Sequence, residues 1–323
     1  IPSDGLLNIT RAAMTALLMA AVPTVFLLGR MLNGRIAAYS VSLLFALSPV
    51  LLLNGRRAMM ESALMLFSVL TVVAGAYLLR QRGMRGALLL GVAAGLAVAS
   101  KHTAIMAVLP VFIAGGLWTL WTLLKRPREG VRLLALLMVA GMLSLAVFGL
   151  LNPAWWGDPL TVGRVVLDLR ADLLTNQAQF FPNYADWNER LLAFWRNVFV
   201  QAPQYYEVSD WAGFIGGQIS AYEASWLKGV GGTDVYAIVL ASLAALGLVG
   251  LLKRDPNTRA ARWMVFVWAV GAVVLVLALT TFEWQRYYIP AILPLLVLAG
   301  NGVAAFVHWL RVSNLFTLGA DVN

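Results

Sequence analysis

The chain has 323 residues, 61% hydrophobic and only 12% charged, with a mean hydropathy of +0.79 and a net charge of +9. A soluble globular chain is about 45–50% apolar and about 25% charged, so a water-facing surface cannot be built from this composition. In a membrane protein the excess of Lys and Arg needs no nucleic acid to explain it, because loops held in the cytoplasm carry such an excess.

Two further exclusions come from composition. There is no Cys, hence no disulfide and no thiolate metal site, and two His exclude a His-rich metal centre. The segment from Ile1 to Asn8 reads as the end of a loop, as if a first span and loop of a longer protein lay upstream.

Nine runs approach the ~20 apolar residues that a span needs. In order they are 12–29, 36–53, 60–79, 86–100, 104–124, 133–151, 235–252, 263–281 and 289–310. The fourth is short and carries Gly91-x-x-x-Gly95, a spacing that lets helices approach closely and that also arises by chance in a Gly-rich stretch. The expected fold is an all-α polytopic membrane protein of about nine transmembrane helices in one domain. Six spans lie in 1–151 and three in 235–323.

Between the second and third spans lies Arg56-Arg57-Ala58-Met59-Met60-Glu61. Residues four apart share a helix face, so Arg57 and Glu61 could jointly hold a metal ion and a phosphate. The same pair also suits a simple anchor at the headgroups. Between the fourth and fifth spans Lys101-His102-Thr103 is pinned at the interface. Lys is a compact point charge for phosphate, and an ordinary basic cap looks the same.

The segment 152–234 is about 80 residues, too long for a plain connection. It holds Trp155, Trp156, Trp187, Trp195, Trp211 and Trp226, half of all the Trp. Apolar spacing predicts helices over 162–177 and 186–200, lying in the interface rather than crossing it. In the second, Leu191, Leu192, Trp195, Val198 and Phe199 would share the apolar face. The last span is entered through Glu283-Trp284-Gln285-Arg286-Tyr287-Tyr288-Ile289-Pro290, where Arg286 sits among aromatic residues. A belt of interfacial aromatics reads the same way.

Charge tests the topology. The loops 30–35, 80–85, 125–132 and 253–262 with the C-terminus hold 14 Lys/Arg, Lys253 and Arg254 among them, and three acids, Glu129, Asp255 and Asp321; the balance is +11. The opposite set balances at −2. The positive-inside rule places the first set in the cytoplasm. The expectation is a multi-pass protein of the plasma (inner) membrane, with a cytoplasmic C-terminus and the long loop outside. Arg57, Lys101 and Arg286 then share the outer face. A lipid bearing a phosphate would suit them together better than three unrelated caps.

Four local patterns resemble the GT-C superfamily of membrane glycosyltransferases, closest to its protein O-mannosyltransferase and aminoarabinose transferase group. They are Arg11 with Gly29-Arg30-x-x-x-Gly34; Leu47-Ser48-Pro49 with Arg57-x-x-x-Glu61; Gly91-x-x-x-Gly95-Leu96 with Ser100-Lys101; and Arg286-Tyr287-x-x-Pro290 with Pro294. They occur in one order and cover most of the chain. The resemblance implies transfer of a sugar from a polyprenyl-phosphate carrier to a protein, lipid or glycan acceptor at the outer face. The acceptor would attack the anomeric carbon with inversion. By the resemblance Arg57, Lys101, His102 and Arg286 would serve the donor phosphate, and Glu61 would organise the site or hold a divalent metal, Mg or Mn.

The family's base is an Asp in the first outer loop. Almost all of that loop is missing here, with Asp4 its only acid, so the catalytic Asp is expected upstream of Ile1. The competing reading is a noncatalytic GT-C-like integral subunit of a larger membrane complex. A transporter is disfavoured by the near absence of charge within span interiors and of repeated halves.

Overall fold

The structure is a computed structural model describing residues 3–181, 184–207, 212–252 and 255–312. Trp211, Lys253, Arg254 and Asp321 lie outside the described residues. The chain is an all-α polytopic membrane protein. Its helices are α1 (Asp4–Leu47), α2 (Pro49–Gly55), α3 (Glu61–Gln81), α4 (Met84–Ser100), α5 (Ile105–Lys125), α6 (Pro127–Leu151), α7 (Pro159–Phe180), α8 (Trp187–Trp195), α9 (Ala212–Glu223), α10 (Asp234–Leu251), α11 (Arg259–Leu279) and α12 (Ile289–Val312).

Among the described residues, seven helices are long and apolar enough to cross a membrane, against nine expected spans. Two local causes account for the difference. The first two expected spans both fall within α1, which leaves helical geometry at Asn33 (φ −150°, ψ 33°) and Gly34 (φ 74°, ψ −154°). A straight helix would put Phe26 and Tyr39 about 20 Å apart, yet their ring centroids are 5.2 Å apart. The chain therefore reverses, and α1 is a helical hairpin with arms 4–32 and 35–47. Gly34 supplies the positive φ that the reversal needs. Gly29 lets the arms touch, since a Cβ there would stand 2.8 Å from the Ala38 Cα. The other cause is α4, whose 17 residues span about 26 Å, short of the ~30 Å hydrocarbon core.

The second expected span is also cut at its far end. Ser48 is extended and its hydroxyl accepts from Leu51 N, with Pro49 opening α2. Proline biases the preceding residue away from helix and is itself suited to the first helical position.

Small residues set the packing. A Cβ on Gly91 would meet the Ala140 carbonyl oxygen at 2.7 Å, and one on Gly95 would meet Val147 Cβ at 2.6 Å, so this pair seats α4 against α6. On α12, Gly302 lies against the Leu243 carbonyl, and Gly247 of α10 lies against the Leu298 carbonyl. Asn301 Nδ2 donates to Gly247 O at 2.8 Å across the same contact. Gly300 faces Val41 of the hairpin's second arm. The last helix is thus clasped between α10 and α1.

The long loop holds helices close to those expected. The first, α7, is mostly exposed and capped by Asp158, which accepts from Thr161 N at 3.2 Å. The second, α8, ends in a π turn over Arg196–Val200. Its buried side differs from the expected face: Ala193, Phe194, Asn197 and Val198 are buried, while Leu191 and Leu192 are exposed. The bundle sets this face, since Phe194 packs edge-on against Tyr288, ring centres 6.3 Å apart. A third helix, α9, went unread.

The loop then returns to the bundle. Gln201 Oε1 accepts from Ser48 Oγ at 2.7 Å. Val230 N donates to Leu47 O, and Gly232 N to Val200 O, each at 2.7 Å. At Gly229 (φ 80°) the Leu47 carbonyl leaves no room for a Cβ. The loop's exit is therefore fastened to the hinge between α1 and α2.

Candidate active site

Glu61 opens α3 and is only 1% exposed. Lys101 follows the last turn of α4 in extended backbone (φ −161°, ψ 128°), before a short 3-10 turn leads into α5. This break projects the ammonium across the helix ends, and Lys101 Nζ lies 2.6 Å from Glu61 Oε1. Glu61 Oε2 is buried without a hydrogen-bond partner. Lys101 also stands 5.9 Å from the centre of the Tyr287 ring.

Arg57 lies one loop before Glu61. Its Nη2 donates to the carbonyls of Gln204 at 3.0 Å and Tyr205 at 2.9 Å, and Nη1 donates to Asn54 Oδ1 at 3.4 Å. Burial draws the Arg57 guanidinium below its ordinary pKa; Glu207 and Glu61 pull it back up, and Arg286 pushes it further down. An arriving anion would favour this half-buried cation.

Arg286 enters from the turn before α12. Its Nη2 pairs with Glu207 Oε2 at 3.0 Å, Nη1 approaches Met59 Sδ at 3.8 Å, and Nε is buried without a partner. The guanidinium rests over Trp284 and Tyr287, 5.2 and 5.5 Å from their ring centres. Three cations and two carboxylates, Glu61 and Glu207, therefore share one end of the bundle. The set has a net positive charge and unmet polar atoms on both an acid and a base.

Further contacts hold the loop over this end. Gln204 and Gln285 exchange bonds: Gln204 N donates to Gln285 Oε1 at 3.0 Å, and Gln285 N to Gln204 Oε1 at 2.7 Å. Gln285 Nε2 donates to Ala202 O at 2.7 Å, and Gln204 Nε2 to Glu283 O at 3.0 Å. Arg196 forks onto the Glu283 carboxylate at 3.0 and 2.7 Å. Arg56 reaches Tyr222 OH at 2.7 Å and Leu227 O at 2.9 Å.

Of the residues expected at a phosphate, Arg57, Lys101 and Arg286 are brought together with Glu61. His102 is not. It is exposed, with its ring against Phe148 on α6, centroids 6.1 Å apart. No hydrogen bond or ion pair among the described residues joins it to the cluster. Asp4, the only acid ahead of the first span, is exposed in the first turn of α1. Glu207 and Tyr287 were missed as site residues. Tyr287 adjoins Arg286 in sequence, but Glu207 is one loop acid among several.

A divalent metal at Glu61 does not fit the residues present. Such ions need several oxygen ligands, and Glu61 is faced by Lys101 and Arg57. No group of three His, Cys, Asp or Glu able to hold a metal occurs among the described residues. The second carboxylate, on Glu207, is committed to Arg286.

Residues 8–155 match the family model described as dolichyl-phosphate-mannose-protein mannosyltransferase. The match bears out, over that stretch, the resemblance to GT-C membrane glycosyltransferases. No curated protein matches. Two solved structures are similar over nearly the whole chain. One is the archaeal oligosaccharyltransferase AglB from Archaeoglobus fulgidus in complex with an inhibitory peptide and a dolichol-phosphate, with 16% identity, a TM-score of 0.45, and coverage of 99% of this chain and 42% of that one. The other is an Archaeoglobus fulgidus oligosaccharyltransferase in the apo form, with 15% identity, a TM-score of 0.44, and coverage of 98% and 41%. The chain thus spans about two fifths of the length of these structures.

Proposed function

We propose that this chain, of GT-C type over its N-terminal half, is a membrane glycosyltransferase that takes its sugar from a polyprenyl-phosphate carrier. The observation that carries the reading is the meeting of Arg57, Lys101 and Arg286, from three distant parts of the chain, beside a buried Glu61. The match of residues 8–155 supports the lipid-linked donor.

In this reading the acceptor hydroxyl attacks the anomeric carbon. A carbon–oxygen bond forms there, and the bond to the phosphate oxygen breaks. The electron pair leaves with the phosphate, whose growing charge is where fixed cations help most. Arg57 and Arg286 meet the phosphate oxygens with forked donors, and Lys101 supplies a point charge. Glu61 holds Lys101 in place. The hydroxyl proton passes to a base that this reading does not assign to any described residue. The long loop faces the extracytoplasmic side with the donor, and the acceptor is a hydroxyl on a protein, lipid or glycan.

Binding separates the proposal from a noncatalytic role. The protein in lipid nanodiscs is titrated with a short-chain polyprenyl phosphate, with and without sugar, and transfer is followed with labelled donor. Saturable binding that weakens at least tenfold in Arg57→Gln and Arg286→Gln, with transfer in the unaltered protein, is the expected result. Binding that is indifferent to both substitutions removes the site. Binding with no transfer to any hydroxyl acceptor overturns the enzyme reading.

A further inference from the structure

A cavity lies at the other end of the bundle. Glu61 opens α3 and Arg80 lies in its last turn, about 28 Å away along the axis. Around Arg80 is a cavity of about 1110 Å³ whose lining includes the apolar Leu117 and Phe266. The lining also includes Arg80, Arg82, Arg259 and Arg262, one acid, Asp255, and the indoles of Trp118, Trp121 and Trp263. A smaller recess of about 340 Å³ shares Arg82, Trp118, Trp121 and Arg259 and adds Lys125 and Arg126.

Among the described residues, no salt bridge engages Arg80 or Arg259. The acids near the cavity are occupied elsewhere. Glu129 pairs with Arg82 and, at 3.2 Å, with Arg126. Asp255 accepts from Thr258 Oγ1 at 2.8 Å and Asn257 N at 3.0 Å. Arg259 lies over Trp118 and Trp121, 5.6 and 4.6 Å from their ring centres, and Lys125 lies 4.7 Å from that of Trp121. Trp118, which lines the cavity, holds its indole Nε1 buried and without an acceptor.

A soluble anion would use the arginines and leave the apolar wall wet. A neutral lipid would use the wall and leave Arg80 and Arg259 unanswered. Basic recesses between transmembrane helices take phosphate headgroups, and aromatic side chains sit at headgroup level. We infer that this cavity, bounded by α3, α5 and α11, is a binding site for an anionic phospholipid. Its phosphate meets Arg80 and Arg259 beside Trp121, and an acyl chain lies along Leu117 and Phe266. The site is separate from the Glu61 cluster and does not depend on the reading of that cluster.

The test is lipid retention by the purified protein, measured by native mass spectrometry in equal mixtures of phosphatidylglycerol and phosphatidylcholine. The unaltered protein is expected to keep phosphatidylglycerol at least fivefold over phosphatidylcholine. The double variant Arg80→Gln, Arg259→Gln loses that preference, while Arg196→Gln, at the opposite end, keeps it. Leu117→Trp fills the apolar part without changing charge and also loses the lipid. Two results overturn the inference: equal retention of both lipids by the unaltered protein, or unchanged preference in both cavity variants when each melts within a few degrees of the parent. Inorganic phosphate at matched concentration distinguishes the sources. If it displaces the lipid, or still binds Leu117→Trp as it binds the parent, the cavity is a free-anion site and the lipid assignment fails.

Discussion

Lys101 Nζ lies 2.6 Å from Glu61 Oε1 and joins the end of α4 to the start of α3. The pair is unequal, since Glu61 is 1% exposed and the lysine side chain 22%. Removing one partner of a buried pair leaves a charge without compensation, which costs about 3–5 kcal/mol. Lys101→Met is therefore expected to lower the melting temperature in detergent markedly. Adding Glu61→Gln should restore most of the loss. A double variant no more stable than Lys101→Met would show that Glu61 draws its compensation from elsewhere, with Arg57 the next candidate.

Arg57 ties its loop to the irregular segment 202–206 through the Gln204 and Tyr205 carbonyls. Hydrogen bonds to charged groups contribute about 1.5–3 kcal/mol. Arg57→Gln should raise amide exchange around Gln204 while leaving the α10–α12 contact protected. Arg57→Lys keeps the charge but not the fork, so it should show nearly the same loosening. Unchanged exchange in both variants would mean that Gln204 and Gln285 hold the segment alone.

Gly29 sits where the arms of the α1 hairpin touch. Forcing extra atoms into a packed contact costs about 1–3 kcal/mol, and here the obstacle is backbone. Gly29→Val should destabilise by that amount and move the arms apart. A spin-label pair at Met19 and Leu43 would lengthen. Gly116→Val, at a glycine with open space around it, is the control expected to change little.

Asp158 caps α7, and bonds from Thr161 side chain and backbone hold its carboxyl below the ordinary 3.8. The native pKa is the lower one, so the cap's contribution is present above the unfolded value. It is lost as pH falls through the native value. The first turn of α7 should therefore fray only in acid below about 4, the ordinary carboxylate range. Asp158→Asn should remove the pH dependence while keeping much of the cap. Fraying already at pH 6 in the unaltered protein would contradict the cap.

Hydropathy alone located the spans, because twenty apolar residues have few other uses. It separated the two arms of the hairpin, 12–29 and 36–53, but not the tightness of their turn, which rests on the dihedral angles of Asn33 and Gly34. The cluster was half legible. Arg57 and Glu61 are four apart, and Lys101 and Arg286 sit at span ends where charge is costly. Glu207 was not legible. Its place is decided by the long loop folding back through Gln204 and Gln285, and no local pattern marks two glutamines that will exchange bonds. The phase of α8 failed for a related reason, since its buried face is chosen by a distant partner, Tyr288, which meets Phe194.

The reach of the site's contacts along the chain sets an order of assembly. Glu61 meets Lys101 forty residues later, whereas Arg286 approaches Met59 across 227 residues. At about 5–20 residues per second, Arg286 is made roughly 10–40 s after Lys101. Glu61 can thus be neutralised while the ribosome is still at work. Arg57 must wait for the loop that covers it, and the loop for its latch on Glu283 and Gln285, just ahead of the last helix. A chain stopped before Glu283 would carry a paired Glu61 and an uncovered Arg57.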